Sequence, residues 1–296
     1  MAAPTLDRGT DAPTTRPRRA RKGPSGLLLI VPSLVFMALL FGWPMVQGVV
    51  QAFHSDQGFT LEFVERMVSD ANFWPAVRNT LLLIVVLIPV QFAFAVAMAL
   101  LLRAKPRLAN VYFFIWAIPL AVSDLAAGLV WLAVLTDRGY LNSVLVDVGL
   151  QPVAWLAFDN PVSLFVAVLV AEVWRATSLV LVIVVAGLQG IPRDYEEAAA
   201  VFGASPWRRL WTVILPLLRP SLQVALILRT ILAFQTFAVA RALTGDNFPL
   251  LVGETYRWYV VLQDPGVAAA LALVVLALSM LTSIIYLRTL RSEEVR

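Results

Sequence analysis

The residues of this chain best placed to do chemistry are few and sit inside apolar runs: Gln91, Asp124, Glu172, Arg175 and Arg229, with Gln235 and Thr236 just beyond the last. Polar and ionisable groups in such surroundings are costly, so each is a functional candidate whose partner needs naming. Glu172 and Arg175 are three apart and can pair along one helix face. That pairing has a structural reading. It also has a functional one, in which the pair, with Trp174, contacts a hydroxylated solute or gates its path. Phe234 and Phe237 could stack on the apolar face of such a solute, although helix packing accounts for both. Asp124 or Glu172 could instead be the coupling carboxylate of a secondary transporter driven by protons or sodium.

Covalent and metal chemistry drop out. With no cysteine and one histidine, His54, the chain has no thiolate, disulfide or iron–sulfur ligand, and no histidine metal site. It carries no G-x-x-x-x-G-K-[ST] phosphate loop, no G-x-S-x-G elbow and no H-E-x-x-H pair. An enzyme is therefore not expected, nor a cofactor or metal held by this chain.

Long apolar stretches must position the polar candidates. The chain is 60% apolar and 14% charged, against about 45–50% and about 25% for an ordinary soluble domain. Six stretches stand out: Gly26–Val50, Thr80–Leu102, Val111–Leu135, Val162–Leu188, Thr212–Ala238 and Val267–Leu287. Each reaches the roughly 20 residues that cross a hydrocarbon core about 30 Å thick. The expected fold is all-α, a polytopic membrane domain over residues 26–290 with about six spans. At about 1.5 Å per residue, Gln91, Asp124, Glu172 and Arg175 lie roughly 15–20 Å into their own spans, near mid-membrane. Prolines 32, 44, 89, 119, 216 and 220 predict kinks that neighbouring helices must satisfy.

Most of the 23 basic residues gather on one side of these spans. They lie in the tail, at Arg103, Lys105 and Arg107, at Arg193, Arg208 and Arg209, and at Arg288, Arg291 and Arg296. Short cytoplasmic loops collect Lys and Arg, so both termini and the loop between spans four and five are expected in the cytoplasm. These charges read as a topology signal and not as a nucleic-acid surface. Residues 1–25, rich in Pro, Thr and Ala, predict a disordered basic tail, and residues 291–296 a short C-terminal one. Arg18-Arg19 suggests a signal peptide, but the apolar run after it is far longer than the 7–15 residues of a signal h-region. On the other side, Trp74, Trp155, Trp258 and Tyr259 predict an interfacial aromatic belt or a docking surface for an external protein.

The loop at residues 190–216 has its own local chemistry. Pro192 suits a first helical position, and Asp194, Glu196 and Glu197 offset the positive end of the helix dipole. Gly203 can take a left-handed cap, and Ser205-Pro206 is an N-cap and first-position pair that restarts a helix at once. Tyr195, Ala198, Ala199 and Phe202 fall at i, i+3, i+4 and i+7, one apolar stripe. It should bury against the membrane domain or in a partner's groove, flanked by Arg193 and Glu197.

Glu197-Ala198-Ala199, Gly203 and Leu215-Pro216 match the spacing E-A-A-x₃-G-x₉-I-x-L-P, with Val213 in place of isoleucine. This resembles the ATPase-docking loop of binding-protein-dependent ABC import permeases. Leu188-Gln189-Gly190-Ile191-Pro192, Ala171-Glu172-Val173-Trp174-Arg175, Arg229-Thr230 and Ala233-Phe234 make the chain similar to the carbohydrate-uptake branch, in the manner of a first maltose/trehalose-type subunit. Departures follow in Phe237-Ala238-Val239-Ala240-Arg241, where many relatives have Phe-Asp-x-x-Tyr, and in Gly245-Asp246-Asn247-Phe248-Pro249, where a Gly-Gly-Gly-Pro-like run is usual. The resemblance implies a type I importer permease fold in the cell membrane. It implies an ATPase-coupling role for Tyr195, Glu197, Ala198, Ala199, Phe202, Gly203, Leu215 and Pro216. Implied partners are a second homologous permease, two ATPase subunits carrying ATP and Mg, and an external substrate-binding protein. The implied cargo is a di- or oligosaccharide, with a glycerophosphodiester or polyol as the alternative; Arg175, Arg229 and Arg241 keep an anionic one open.

Overall fold

The computed structural model describes residues 26–289, so the tails at 1–25 and 291–296 lie outside the described residues. Helix α1 (Gly26–Met37) runs through a π turn (Ala38–Gly42) into α2 (Trp43–Phe53). Pro44 has no N–H for the carbonyl four residues back, which accounts for the widened turn. The chain divides after Gln47 into two units, and none of the described residues of the first is buried.

The second unit opens with an antiparallel hairpin, β1 (His54–Ser55) against β2 (Gly58–Phe59), and a short helix α3 (Glu62–Ser69). Then come α4 (Phe73–Arg103), α5 (Ala109–Ala117), α6 (Asp124–Leu135), α7 (Tyr140–Asp147) and α8 (Pro161–Gln189). The helices of the expected coupling loop, α9 (Asp194–Val201) and α10 (Pro206–Arg209), lead into α11 (Leu215–Phe234), α12 (Ala238–Thr244), α13 (Leu251–Tyr256) and α14 (Pro265–Thr289). Among the described residues, six helical segments are long and apolar enough to cross a membrane.

Two of the expected spans are broken. Span three, expected unbroken over Val111–Leu135, is α5, a 3₁₀ turn (Ile118–Ala121) and, after a gap, α6. Pro119 withholds an N–H, and Ser123 Oγ accepts from the Ala126 N–H at 3.2 Å as the N-cap of α6. Asp124 is therefore a first-turn residue and not a mid-helix one. Span five, expected to reach Ala238, ends at Phe234, and α12 begins a separate helix.

The bundle is built on α4 and α8, packed side by side. One apolar cluster joins them to α6 and α12 through Leu83, Ala127, Val168, Ala171 and Val239; another joins them to α11 through Ala99, Val184, Leu188 and Leu218. At Gly187 a Cβ would fall 2.6 Å from the Ser221 Cβ, so α8 and α11 close together only over glycine.

At the end away from the coupling loop, Arg257 bridges Asp70 at 2.8 Å and Glu254 at 2.6 Å, and Arg66 pairs with Asp264 at 2.7 Å. Both arginines lie over the Trp258 ring. Burial pushes the Glu254 carboxyl up from its usual range, against the pull of Arg257. Trp155 donates from Nε1 to Asn142 Oδ1 at 3.1 Å. These two tryptophans are fixed by protein contacts, whereas Trp74 and Tyr259 are exposed.

Candidate functional site

The polar candidates from four helices meet. Gln91 of α4 donates from Nε2 to the Glu172 carbonyl at 2.9 Å and accepts at Oε1 from Arg229 Nε at 2.8 Å. Arg229 of α11 also donates from Nη2 to Glu172 Oε2 at 2.9 Å. Glu172 of α8 accepts from Arg175 Nη2 at 3.1 and 3.2 Å, so the expected pair forms. Arg175 then reaches across to Asp124 of α6, 2.7 Å from Nη1 to Oδ1. The result is a chain of alternating charges, Arg229–Glu172–Arg175–Asp124. It runs from sealed to open: the Glu172 and Arg229 side chains are 1% exposed and that of Asp124 is 50%. Buried charge is tolerable when each ion has a partner and its other polar atoms are bonded.

Beside the open end lies a cavity of about 340 Å³, lined by Asp124, Arg175, Arg229 and Gln235 among apolar neighbours that include Leu120 and Leu232. Its walls come from both broken spans and from α8. Arg175 Nε and Arg229 Nη1 are buried and have no hydrogen-bond partner within the protein. The groups the wall exposes are the edge of the Arg175 side chain, 18% exposed, and the half-exposed Asp124 carboxylate, a donor and acceptor set suited to an oxygen-rich polar solute.

Other expected pathway residues lie apart from this network. Phe234 is buried with Ile84, Leu87 and Ile88 and packs helices together. Phe237 rests on Tyr256, 5.1 Å between ring centroids. Trp174 meets Trp131 edge-on at 6.2 Å. Thr236 is buried, and its hydroxyl has no partner within the protein. Arg241 pairs with Asp246 and lies over Tyr256, among residues that do not line the cavity. Among the described residues no cluster of metal-ligand side chains occurs.

The coupling loop folds as two helices meeting at a corner. Gly203 has φ +79°, and its N–H and that of Ala204 return to the carbonyls of Ala200 and Ala199 at 2.9 and 3.0 Å, closing α9 with a left-handed cap. Ser205 Oγ accepts from the Arg208 N–H at 3.3 Å, with Pro206 first in α10. Pro192, expected at the first position of α9, instead precedes Arg193, and the helix begins at Asp194. Beyond α10 a π turn (Leu210–Ile214) precedes α11. Pro216 has no N–H for Thr212, so the Leu215-Pro216 pair sits on that widened turn. The α9 stripe is not covered by the membrane domain: Tyr195 and Phe202 are 54% and 90% exposed.

Arg103 was expected only as a topology charge, and its contacts are more specific. From the last residue of α4 it meets Glu196 Oε1 at 2.5 Å and the Ile191 carbonyl at 3.0 Å, and donates to the Leu188 carbonyl as well. Arg193 donates back to the Arg103 carbonyl at 2.8 Å. Arg103 thus ties α4, the end of α8 and α9 together, through the Leu188 carbonyl in the last turn of α8 and the Ile191 carbonyl just beyond it. The one hint in the sequence is a Glu196 facing a strongly basic side of the molecule.

The comparisons agree with this architecture. Residues 91–291 match the family model of the binding-protein-dependent transport system inner membrane component. The sulfoquinovosyl glycerol transport system permease protein of Agrobacterium fabrum is 33% identical, over 90% of this chain and 91% of that protein. The trehalose/maltose transport system permease protein of Thermococcus litoralis is 32% identical, over 90% and 94%. Among solved structures, a chain of a bacterial ABC transporter involved in import of the acidic polysaccharide alginate superposes with a TM-score of 0.77 at 16% identity, over 90% of this chain and 95% of that one. With most of its length matched by the family and by relatives of this similarity, the chain belongs to the inner membrane components of binding-protein-dependent transport systems, the permease subunits of ABC importers.

Proposed function

We propose that the chain forms one half of the translocation path of an ATP-driven importer for a di- or oligosaccharide. In this reading a second homologous permease supplies the other half, two ATPase subunits hold ATP and Mg, and an external binding protein delivers the solute. Both termini and the coupling loop face the cytoplasm, as the distribution of basic residues suggests. The observation that carries the reading is α9: a capped helix with its apolar stripe exposed, joined to span five through the Gly203 corner. Such a face fits a partner's groove, and a push on it would pass through α10 to α11. The cavity beside Asp124 and Arg175 would carry the solute, its hydroxyls meeting the exposed edge of the Arg175 side chain and the Asp124 carboxylate.

Purification of the full-length chain from its own membranes is expected to bring along a second permease and an ATPase. Proteoliposomes of that complex should take up a di- or oligosaccharide only with ATP inside and the binding protein outside. Uptake that persists without ATP and collapses with the ion gradient would move the chain among secondary transporters. Glu172 is a poor coupling carboxylate for that role, since two guanidiniums already engage it.

A second reading, an anionic cargo such as a glycerophosphodiester, is favoured by one observation. Arg175 and Arg229 both line the cavity, and each keeps a buried N–H without a partner in the protein. A binding screen of neutral sugars, acidic sugars and phosphodiesters against the cognate external protein separates the two.

A further inference from the structure

A second cleft, of about 880 Å³, opens beside the coupling loop between the C-terminal ends of α4 and α8 and the start of α5. It shares no residue with the cavity at Asp124. Its floor is apolar, with Leu102, Phe113, Val185 and Leu188. Its rim is cationic, with Arg103, Lys105 and Arg193, and no carboxylate lines it.

The three cations are not equivalent. Arg103 is occupied by Glu196 and two carbonyls. Lys105 and Arg193 have no carboxylate partner among the described residues, and Arg193 donates only to the Arg103 carbonyl. Two residues of this rim and floor also hold unusual backbone: Lys105 and Leu108 have φ of 51° and 66°. Left-handed conformations cost residues that carry a Cβ, and where they persist the surrounding structure enforces them, often at ligand clamps.

Unpaired cations where apolar helices end, above an apolar cleft, match the two parts of an anionic phospholipid. The phosphate is attracted to Lys and Arg at the membrane surface, and basic pockets between spanning helices take such headgroups. We propose that this cleft holds an anionic phospholipid of the leaflet beside the coupling loop, its phosphate between Lys105 and Arg193 and an acyl chain along Phe113 and Val185. A free phosphate ion would use only the rim and leave the floor uncovered. Since Arg193 directly precedes α9 and Arg103 pins it, the bound lipid braces the fixed side of the coupling loop.

The test uses the assembled transporter in nanodiscs of phosphatidylcholine with and without phosphatidylglycerol, with retained lipid read by native mass spectrometry after mild delipidation. Phosphatidylglycerol is expected to stay with the wild type in preference to phosphatidylcholine. Lys105→Met should lower its retention about fivefold, as loss of one cation at a membrane surface implies, and Lys105→Glu should lower it further. Arg107→Glu, on a residue that does not line the cleft, is the control for general surface charge and should change retention little. Lys105 is exposed, so both variants are expected to fold; unchanged elution and unchanged basal ATP hydrolysis would verify this. Equal retention of the two lipids, no effect of either Lys105 variant, an equal effect of Arg107→Glu, or displacement of the lipid by inorganic phosphate would each overturn the proposal. So would lipid retained by the isolated chain and lost on assembly, since a partner subunit would then cover the cleft.

Discussion

Arg229–Glu172 in the centre of the bundle and Arg103–Glu196 at the coupling loop are the same kind of ion pair, 2.9 and 2.5 Å long, in different surroundings. The central side chains are each 1% exposed, whereas those at the loop are 13% and 23% exposed. The central pair is further bonded through Gln91 and shared with Arg175, so each ion has several partners inside the protein. At the loop, water can replace whatever is broken. The same chemistry therefore gives a lock in one place and a detachable joint in the other: a sealed pair cannot open without stranding a charge in apolar surroundings, and a wet one can.

The hardest blow to this contrast falls on Glu172. Glu172→Leu strands Arg229 in the interior, and losing one partner of a buried pair costs about 3–5 kcal/mol. The variant is expected to be scarce in membranes and to unfold at markedly lower temperature in detergent. Adding Arg229→Leu should restore part of the loss, because the stranded charge is gone. A single variant as stable as the wild type would mean that the centre is not a lock.

Arg103→Ala should act differently. It removes several charge-assisted hydrogen bonds, each of about 1.5–3 kcal/mol at most, but water reaches the freed groups. Expression and melting temperature should move little, while ATP hydrolysis in the assembled transporter loses its link to uptake. Arg103→Lys is not expected to rescue, since an ammonium cannot span a carboxylate and two carbonyls as a fork does. A large drop in yield with coupling intact would assign Arg103 to the lock class.

Gly203→Val tests the same joint through its backbone. At φ +79° a β-branched residue costs about 1–2 kcal/mol, and no neighbouring atom would crowd the added Cβ. The corner should reshape and lower uptake at normal expression. Normal ATP-dependent uptake would show that the corner's geometry does not transmit force.

How much of this was legible in the sequence differs between the two regions. The loop is governed by neighbours in the chain, so Gly203 and Ser205-Pro206 reported its corner and restart directly. The central network joins residues as far apart as Gln91 and Arg229. Periodicity offered the Glu172–Arg175 pair, three residues apart, and nothing about who else would meet it. The break at Ser123-Asp124 carried a cap signal, but the apolar run around it outweighed two polar residues. Arg103 was visible only as one more basic residue, because its partners are carbonyls and a carboxylate on segments far along the chain.

Asp124 marks where the comparison should fail. It belongs to the central network by its 2.7 Å bond to Arg175, yet half of its side chain is exposed, more than either partner of the loop pair. Exposed pairs contribute about 0–1 kcal/mol, so Asp124→Asn should leave expression and melting temperature nearly unchanged, unlike Glu172→Leu. The amide keeps an acceptor for Arg175 and removes the negative charge from the cavity wall. If a neutral sugar uses that carboxylate as an acceptor, uptake should fall severalfold through the apparent KM with the maximal rate retained. If the cargo is anionic, the same change removes a repulsion and the apparent KM should drop. Loss of stability comparable to that of Glu172→Leu would place Asp124 inside the lock after all, and the boundary drawn here by exposure would have to move outward past it.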